Sequence, residues 1–213
     1  MPLRFLVSAG PTREYLDPVR FLSNPSSGKM GFAVAEAALE RGHSCVLVSG
    51  PVSLTPPPCA KFIPIVSAED MLREIEREFS TCDVLVMTAA VSDFKPKTRL
   101  EHKEHKLSDS SVLELVRTPD ILQTLYPKKE EQLVIGFAAE TYDLEASAAR
   151  KMFVKGLDMI VANDVSSSRA GFAVEKLDAT FLFPEYPPER LGLIDKQEVA
   201  KKIVEFAERL KTL

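Results

Sequence analysis

The stretch SNPSSGKMG, residues 23–31, has the composition of an anion-binding loop at the start of a helix. Ser26, Ser27 and Gly28 would offer hydroxyl and backbone N–H groups there, and the positive end of a helix dipole favours an anion such as phosphate. The same residues also suit an ordinary helix start, with Ser26 or Ser27 as a simple capping residue. The loop alone leaves both interpretations open.

Two common nucleotide-binding patterns do not fit this loop. The pattern GxxxxGK[ST] requires glycine where Ser23 stands and serine or threonine where Met30 stands. The pattern GxGxxG requires a glycine where Ser26 stands. An NAD(P)-dependent oxidoreductase is also disfavoured, because it commonly uses a YxxxK pair and none of the tyrosines has a lysine four positions later.

The composition indicates one globular domain over residues 1–213, with 45% hydrophobic and 27% charged residues. A formal charge of −4 provides no global basic field for nucleic acid or an anionic membrane, so an anion site must be built locally. Cys45, Cys59 and Cys82 lie far apart and do not form a metal-ligand pattern. No apolar run approaches the length of a membrane span, and we expect a cytoplasmic protein.

Alternating apolar runs and helical patterns predict the elements that would position this loop. An α/β fold is expected, a Rossmann-like, doubly wound and mainly parallel sheet with an antiparallel edge near the C-terminus. The predicted strands are 3–10, 44–50, 61–66, 82–91, 132–140, 157–164 and, at the antiparallel edge, 178–183. The predicted helices are 28–42, 67–79, 143–155 and 196–212.

Ligands of such sheets bind beyond the carboxyl ends of the strands. Those ends read SAGPTRE, VSGP, TAAVSDF, GFAAET and ANDVS, and their small and hydroxyl residues allow a ligand to approach the backbone. The polar segment 95–111 is too long for an ordinary turn, which is typical of a functional or disordered loop.

Five collinear motifs resemble those of the phosphopantothenate-cysteine ligase family. They are SAGPTREYLDPVRFLSNPSSGKMG, TAAVSDF, TPDIL, GFAAET and ANDVS, and the resemblance extends over about residues 5–208. It implies a ligase of coenzyme A biosynthesis, here in its stand-alone bacterial form. In that reaction the carboxylate of 4′-phosphopantothenate attacks the α-phosphorus of a nucleoside triphosphate, and cysteine then displaces the nucleotide from the acyl-nucleotide.

The resemblance also implies residue roles. Asn24 would handle the reaction intermediate, and Ser26, Ser27 and Gly28 would bind the phosphate of phosphopantothenate. Asp93 would line the nucleotide cleft. The residues expected to bind the nucleotide are Gly10, Pro11, Thr12, Ala90, Val91, Ser92, Lys106, Pro119, Asp120, Ile121, Leu122, Phe137, Lys151 and Lys155. Taken alone, the pair Lys151 and Lys155 is more typical of a solvated helix face.

The segment 95–111 corresponds to a flexible flap of the family that carries a K-x-K-K cluster. Its counterpart here is KEHK, in which Lys103 and Lys106 match and His105 replaces a lysine. Lys106 is expected to be the catalytic cation that neutralises the α-phosphate. The imidazole of His105 would deliver less positive charge near neutral pH.

CTP is the favoured co-substrate, and ATP is the alternative. Mg²⁺ is expected to arrive with the triphosphate, its protein ligands are unknown, and no flavin is expected. Asn163 and Asp164 suit either a turn or a ligand contact. The expected partners are small-molecule substrates (4′-phosphopantothenate, L-cysteine and CTP), a second copy in a homodimer and a separate flavin-dependent decarboxylase, but no nucleic acid and no membrane. A non-catalytic nucleotide-binding module of the same fold is the remaining alternative.

Overall fold

The computed structural model of the protein describes residues 1–58, 60–103, 112–140, 142–166 and 175–211. The strands are β1 (Arg4–Ala9), β2 (Arg13–Tyr15), β3 (Phe21–Ser23), β4 (Ser44–Ser49), β5 (Lys61–Pro64), β6 (Val84–Met87), β7 (Phe94–Pro96), β8 (Leu115–Arg117), β9 (Leu133–Glu140), β10 (Met159–Asp164), β11 (Lys176–Leu182) and β12 (Glu189–Asp195). The helices are α1 (Lys29–Glu40), α2 (Ala68–Phe79), α3 (Ile121–Leu125), α4 (Leu144–Lys155) and α5 (Lys196–Lys211). A single 3-10 turn, Tyr126–Lys128, follows α3.

The central sheet has eight strands in the order β12-β11-β10-β9-β6-β1-β4-β5. From β5 to β10 every neighbouring pair is parallel, whereas β11 and β12 are antiparallel to their neighbours. The predicted fold class, a mainly parallel sheet with an antiparallel edge near the C-terminus, is confirmed. The strand at the edge is β12, however, so the predicted edge segment 178–183 lies one position inside it.

The sheet separates two hydrophobic clusters because successive side chains of a strand point to opposite faces. In β6, Val84 and Val86 join the cluster with α1 and α5, whereas Leu85 and Met87 join the cluster with α2, α3 and α4. This layering places the start of α1 on one face of the sheet and α4 on the other.

The helix predictions are confirmed to within a few residues at each end. The start of α2 shows why, since Ser67 and Asp70 form a reciprocal capping box with both bonds at 3.1 Å. Within the described part of the chain, no helix is both long and apolar enough to cross a membrane.

Two short antiparallel ribbons, β2–β3 and β7–β8, were not predicted from the sequence. The second ribbon changes the interpretation of the segment 95–111, because its first residues belong to β7. Lys97 donates a backbone hydrogen bond to Glu114 at 3.0 Å, and Leu100 donates one to Leu16 at 2.8 Å. The beginning of the predicted flap is therefore hydrogen-bonded to its surroundings, and residues 104–111 lie outside the described residues.

Candidate functional site

A cleft of about 620 Å³ lies at the carboxyl ends of β6, β9 and β10, where ligands of parallel sheets bind. Its volume is typical of a site for small molecules. Sequence-predicted residues that line it are Asn24, Ser26, Ser27, Gly28, Ala90, Val91, Ser92, Asp93, Pro119, Asp120, Ile121, Leu122, Phe137, Lys151, Lys155 and Asn163. The structure thus brings most of the predicted site together.

The start of α1 forms one wall of the cleft. Gly28 precedes the helix with φ +78°, a left-handed conformation that favours glycine, and no side chain caps the helix. The hydroxyl of Ser26 instead accepts a hydrogen bond from the N–H of Gly28 at 3.3 Å. The residue at the N-cap position is therefore Gly28 rather than Ser26 or Ser27, and the first helical residues Lys29, Met30 and Gly31 line the cleft.

Close packing fixes the position of this helix start. A Cβ atom at Gly28 would lie 2.9 Å from Val52 Cγ1, and one at Gly31 would lie 2.6 Å from Ala9 Cβ and 2.7 Å from Thr88 Oγ1. Glycine at these two positions lets α1 approach the ends of the sheet strands, where its N-terminus reaches the cleft.

Asn24 connects the loop before α1 to the turn after β6. Its side-chain amide donates to the carbonyl oxygens of Ala90 at 3.2 Å and Val91 at 3.1 Å. Both amide hydrogens are used in these bonds, so a contact between this group and an acyl oxygen requires one of them to be exchanged. In the structure, Asn24 thus connects two walls of the cleft, the loop before α1 and the turn after β6.

Gly10, Pro11 and Thr12, which were predicted to contact the triphosphate, are not among the residues that line the cleft. Thr12 is fully buried, and its hydroxyl accepts a hydrogen bond from the N–H of Ser92 at 3.0 Å. The N–H of Ala90 donates to the carbonyl of Gly10 at 2.9 Å. These residues support the turn 90–92 from behind, because β1 and β6 are neighbours in the sheet.

Lys151 and Lys155 both line the cleft from α4, one helical turn apart. Lys151 pairs with Glu140 at 2.5 Å, and Lys155 pairs with Asp120 at 3.1 Å. The second pair joins α4 to the N-cap of α3, since Asp120 also accepts a hydrogen bond from the N–H of Gln123. The two lysines thus line one end of the cleft, each beside a carboxylate.

Further basic residues line the cleft at Lys29, Arg117 and Lys196, and the sequence did not single out the last two. Among the described lining residues there are five lysine or arginine side chains, against the two carboxylates Asp93 and Asp120. The cleft is thus locally basic in a chain with a net charge of −4. Lys196 was missed because only the packing of α5 on α1 carries it to the cleft.

Lys106 and His105, the predicted flap residues, lie outside the described residues. Lys103 is described and exposed. Just after β8, the hydroxyl of Thr118 donates a hydrogen bond to the carbonyl of Ser92 at 2.5 Å. This bond links the end of the β7–β8 ribbon to the turn that lines the cleft.

Protein ligands for a metal are sparse around the cleft. Among the described residues, no three His, Cys, Asp or Glu side chains come together as a metal site. Asn163 accepts a hydrogen bond from the N–H of Asp178 at 3.1 Å. Asp164 accepts one from the N–H of Ser166 at 2.8 Å, and hydrogen bonds from the side chain and the backbone of Ser166 lower the pKa of Asp164. Asn163 thus links β10 to β11 and also lines the cleft, whereas Asp164 accepts a bond within a turn. Asp93 is an exposed carboxylate at the cleft. This set suits Mg²⁺ coordinated mainly by phosphate oxygens and water.

The described cysteines do not act as nucleophiles here. Cys45 and Cys82 are buried, and desolvation raises the pKa of each thiol to about 12.

Comparisons with known proteins agree over nearly the whole chain. The profile of the DNA/pantothenate metabolism flavoprotein C-terminal domain matches residues 2–210. The Coenzyme A biosynthesis bifunctional protein CoaBC of Bacillus subtilis (strain 168) is 46% identical over 201 residues, which cover 94% of this chain and 50% of that protein. The chain thus spans about half the length of this relative.

Solved structures show the same fold. A crystal structure of the C-terminal domain of a CoaBC protein superposes with a TM-score of 0.84 at 40% identity, covering 100% of this chain and 98% of that one. A Cab2 variant in complex with phosphopantothenate-cysteine has a TM-score of 0.78 at 17% identity, over 97% of this chain and 87% of its own, and shares the fold. The chain therefore belongs to the family of DNA/pantothenate metabolism flavoprotein C-terminal domains, which confirms the family recognised from its motifs.

Proposed function

We propose that the protein is a phosphopantothenate-cysteine ligase of coenzyme A biosynthesis. The observation that carries the proposal is a cleft with basic groups on both sides of the sheet, Lys29 with Lys196 and Lys151 with Lys155. The turn held by Asn24 follows β6, in the middle of the sheet. Two anionic substrates that must react with each other fit this arrangement. The 46% identity to a coenzyme A biosynthesis protein supports the pathway.

In the first step, a carboxylate oxygen of 4′-phosphopantothenate attacks the α-phosphorus of the nucleotide. The bond to the β-phosphate breaks, and pyrophosphate leaves with the bonding electrons. Ser26, Ser27 and the first turn of α1 bind the phosphomonoester, whereas Lys151 and Lys155 bind the nucleotide. Lys106 neutralises charge at the α-phosphate, so that the protein acts mainly by positioning and electrostatic stabilisation.

In the second step, the amine of cysteine attacks the acyl carbon. The bond to the nucleotide monophosphate breaks, and the amine loses a proton as the amide forms. The side-chain amide of Asn24 stabilises the acyl oxygen after exchanging one of its bonds to the turn, in the manner of an oxyanion donor. The reaction thus ends with 4′-phosphopantothenoylcysteine and the monophosphate.

CTP is the proposed nucleotide, with an acyl-cytidylate intermediate, and ATP is the alternative. The base would lie near Phe137 and residues 119–122, which border the cleft. Mg²⁺ bound to the phosphates would supply further charge neutralisation, and Asp93 is the exposed carboxylate that could contact its water ligands. The homodimer, the separate decarboxylase and the cytoplasmic location remain predictions.

Product formation tests this function. Purified protein with Mg²⁺, 4′-phosphopantothenate and either CTP or ATP is assayed for pyrophosphate, with and without cysteine. We expect pyrophosphate release that depends on phosphopantothenate and is faster with CTP, and the cysteine amide with CMP once cysteine is added. Activity with ATP and none with CTP would support the ligase reaction but show that CTP is the wrong nucleotide. No reaction with either nucleotide would favour the non-catalytic nucleotide-binding module.

A further inference from the structure

Asp120 places a negative charge at a cleft that is proposed to bind a triphosphate. It lines the cleft at the start of α3, and its side chain is 37% exposed. A carboxylate repels a polyphosphate, so direct contact between the two would weaken nucleotide binding. Any favourable contribution of this carboxylate to the nucleotide site must therefore come through another group.

Both carboxylate oxygens of Asp120 have protein partners. Oδ1 accepts a hydrogen bond from the N–H of Gln123 at 3.2 Å, which caps α3. Oδ2 lies 3.1 Å from Nζ of Lys155, the last residue of α4. One side chain thus fixes the start of α3 and holds a lysine that lines the cleft from another element.

The two elements also meet directly beside this ion pair. Gly156 follows α4 with φ +61°, and a Cβ atom there would lie 2.1 Å from the ring of Tyr126, which follows α3. Nζ of Lys129 donates to the carbonyl of Gly156 at 2.9 Å. The end of α4 is therefore packed and hydrogen-bonded against the segment after α3, and the pair of Asp120 with Lys155 spans a fixed junction.

The ion pair affects how Lys155 can contact a ligand. A lysine side chain has many rotamers, and restricting them before binding lowers the entropic cost of a contact. Its ammonium group has three N–H donors, so one carboxylate leaves donors for a phosphate. The side chain of Lys155 is 27% exposed and lines the cleft, so its ammonium group is held without being enclosed.

We propose that Asp120 is a positioning residue that acts through Lys155 and orients its ammonium group for the phosphates of the nucleotide. This inference rests on the proposed function, which it deepens by assigning the nucleotide contact to Lys155 and its orientation to Asp120. The opposite hypothesis is that Asp120 competes with the nucleotide for Lys155. The two differ in sign, because removing a competing carboxylate would strengthen nucleotide binding.

The test uses Asp120→Asn, because asparagine caps a helix as well as aspartate does and lacks the charge that pairs with Lys155. Lys155→Gln and the double variant complete a double-mutant cycle. Titration calorimetry measures the binding of CTP and of ATP, each with Mg²⁺, to all four proteins without turnover. Product formation gives kcat and the KM of each substrate, and thermal unfolding gives Tm.

A matched control is Asp70→Asn. Asp70 also bonds to the start of a helix, since it accepts a hydrogen bond from the N–H of Ser67 at 3.1 Å, and it pairs with Arg73 at 2.9 Å. It is not among the residues that line the cleft. Asp70→Asn should therefore bind and turn over the nucleotide like the unmodified protein, whatever its effect on Tm.

For Asp120→Asn we expect the Kd and KM of the nucleotide to rise about 5- to 10-fold, as for loss of one preorganised contact. The KM of phosphopantothenate should change by less than about twofold. In the Lys155→Gln background, Asp120→Asn should have no further effect, because the group through which it acts is absent. A purely structural role would instead persist in that background.

Several results would overturn the positioning role. Tighter nucleotide binding by Asp120→Asn would show competition, and an equal loss in both backgrounds would show a role independent of Lys155. Unchanged nucleotide binding by Asp120→Asn or by Lys155→Gln would remove the contact itself. Equal increases in the KM of nucleotide and phosphopantothenate would show a general structural effect.

The outcomes separate this inference from the proposed function. Product formation with additive effects in the cycle would keep the ligase and remove the positioning role. Nucleotide binding without any product by the unmodified protein would remove the ligase, and calorimetry of the four proteins would still decide the role of Asp120. Failure of the unmodified protein to bind either nucleotide would contradict both.

Discussion

Asn24 is the side chain that joins the loop before α1 to the turn after β6. Replacing it with alanine removes both bonds to the carbonyl oxygens of Ala90 and Val91 and the donor proposed for the acyl oxygen. We expect Asn24→Ala to lower the rate of product formation by about 100-fold or more, as for loss of an oxyanion donor. Steady-state kinetics measure this effect, and thermal unfolding checks that the variant is folded. An unchanged rate would remove Asn24 from the mechanism.

Lys106 is the second residue whose role is chemical. We expect Lys106→Gln to abolish nearly all turnover while weakening nucleotide binding only modestly, because its charge is needed in the transition state more than in the ground state. Single-turnover pyrophosphate release and nucleotide titration separate the two effects.

A matched control is Lys97→Gln, since Lys97 lies near the start of the same polar segment and pairs with Glu114 at 2.6 Å on the surface. Turnover of this control should stay close to that of the unmodified protein. Equal losses in Lys97→Gln and Lys106→Gln would mean that the general charge of the segment matters rather than one catalytic cation.

The individual site residues differ in how far the sequence could predict them. The family resemblance pointed to Asn24, the turn 90–92 and Lys151 with Lys155, and the structure places all of them along the cleft. The motifs did not reveal that Thr12 supports the turn from a buried position. Nor could they place Lys196 at the cleft, because its position depends on how two helices distant in the chain pack together.

At the scale of elements, the start of α1 depends on Gly28. Its φ is +78°, and a Cβ atom there would lie 2.9 Å from Val52 Cγ1. Gly42 provides a matched control, because its φ is +81° and nothing lies within 4 Å of a Cβ atom at that position. Gly42→Ala therefore measures the left-handed strain alone.

We expect Gly42→Ala to lower the free energy of unfolding by about 1 kcal/mol. Gly28→Ala should cost roughly 1–3 kcal/mol more, because the side chain of Val52 must move. It should also weaken phosphopantothenate binding, since the N-terminus of α1 is displaced. Urea unfolding and calorimetry make the comparison, and equal costs for the two variants would contradict the packing argument.

The elements that could be predicted from the sequence are those with a strong hydrophobic pattern or a clear capping signal. Continuous apolar runs such as 82–91 identified the buried parallel strands, and a capping box identified α2. The ribbon β2–β3 has only three residues a strand and depends on tertiary contacts, including Arg13 over the ring of Phe21 at 4.5 Å. Such strands carry too little periodicity for prediction, although they position Asn24.

At the scale of the whole molecule, a basic cleft is set in an acidic protein. The formal charge of −4 excludes a general attraction for polyanions, whereas the lining of the cleft carries more lysine and arginine than carboxylate. The attraction for anions is therefore short-ranged and confined to the cleft. This distribution fits small phosphorylated substrates better than a nucleic acid.

The central claim is that a carboxylate is activated by forming an acyl-nucleotide. The most direct measurement uses phosphopantothenate whose carboxylate carries a heavy oxygen isotope, with CTP, Mg²⁺ and cysteine, and follows the label by mass spectrometry. The account predicts one labelled oxygen in CMP and none in pyrophosphate, because the carboxylate oxygen bonded to the α-phosphorus leaves with the nucleotide. Amide product with unlabelled CMP, or with the label in released inorganic phosphate, would contradict it.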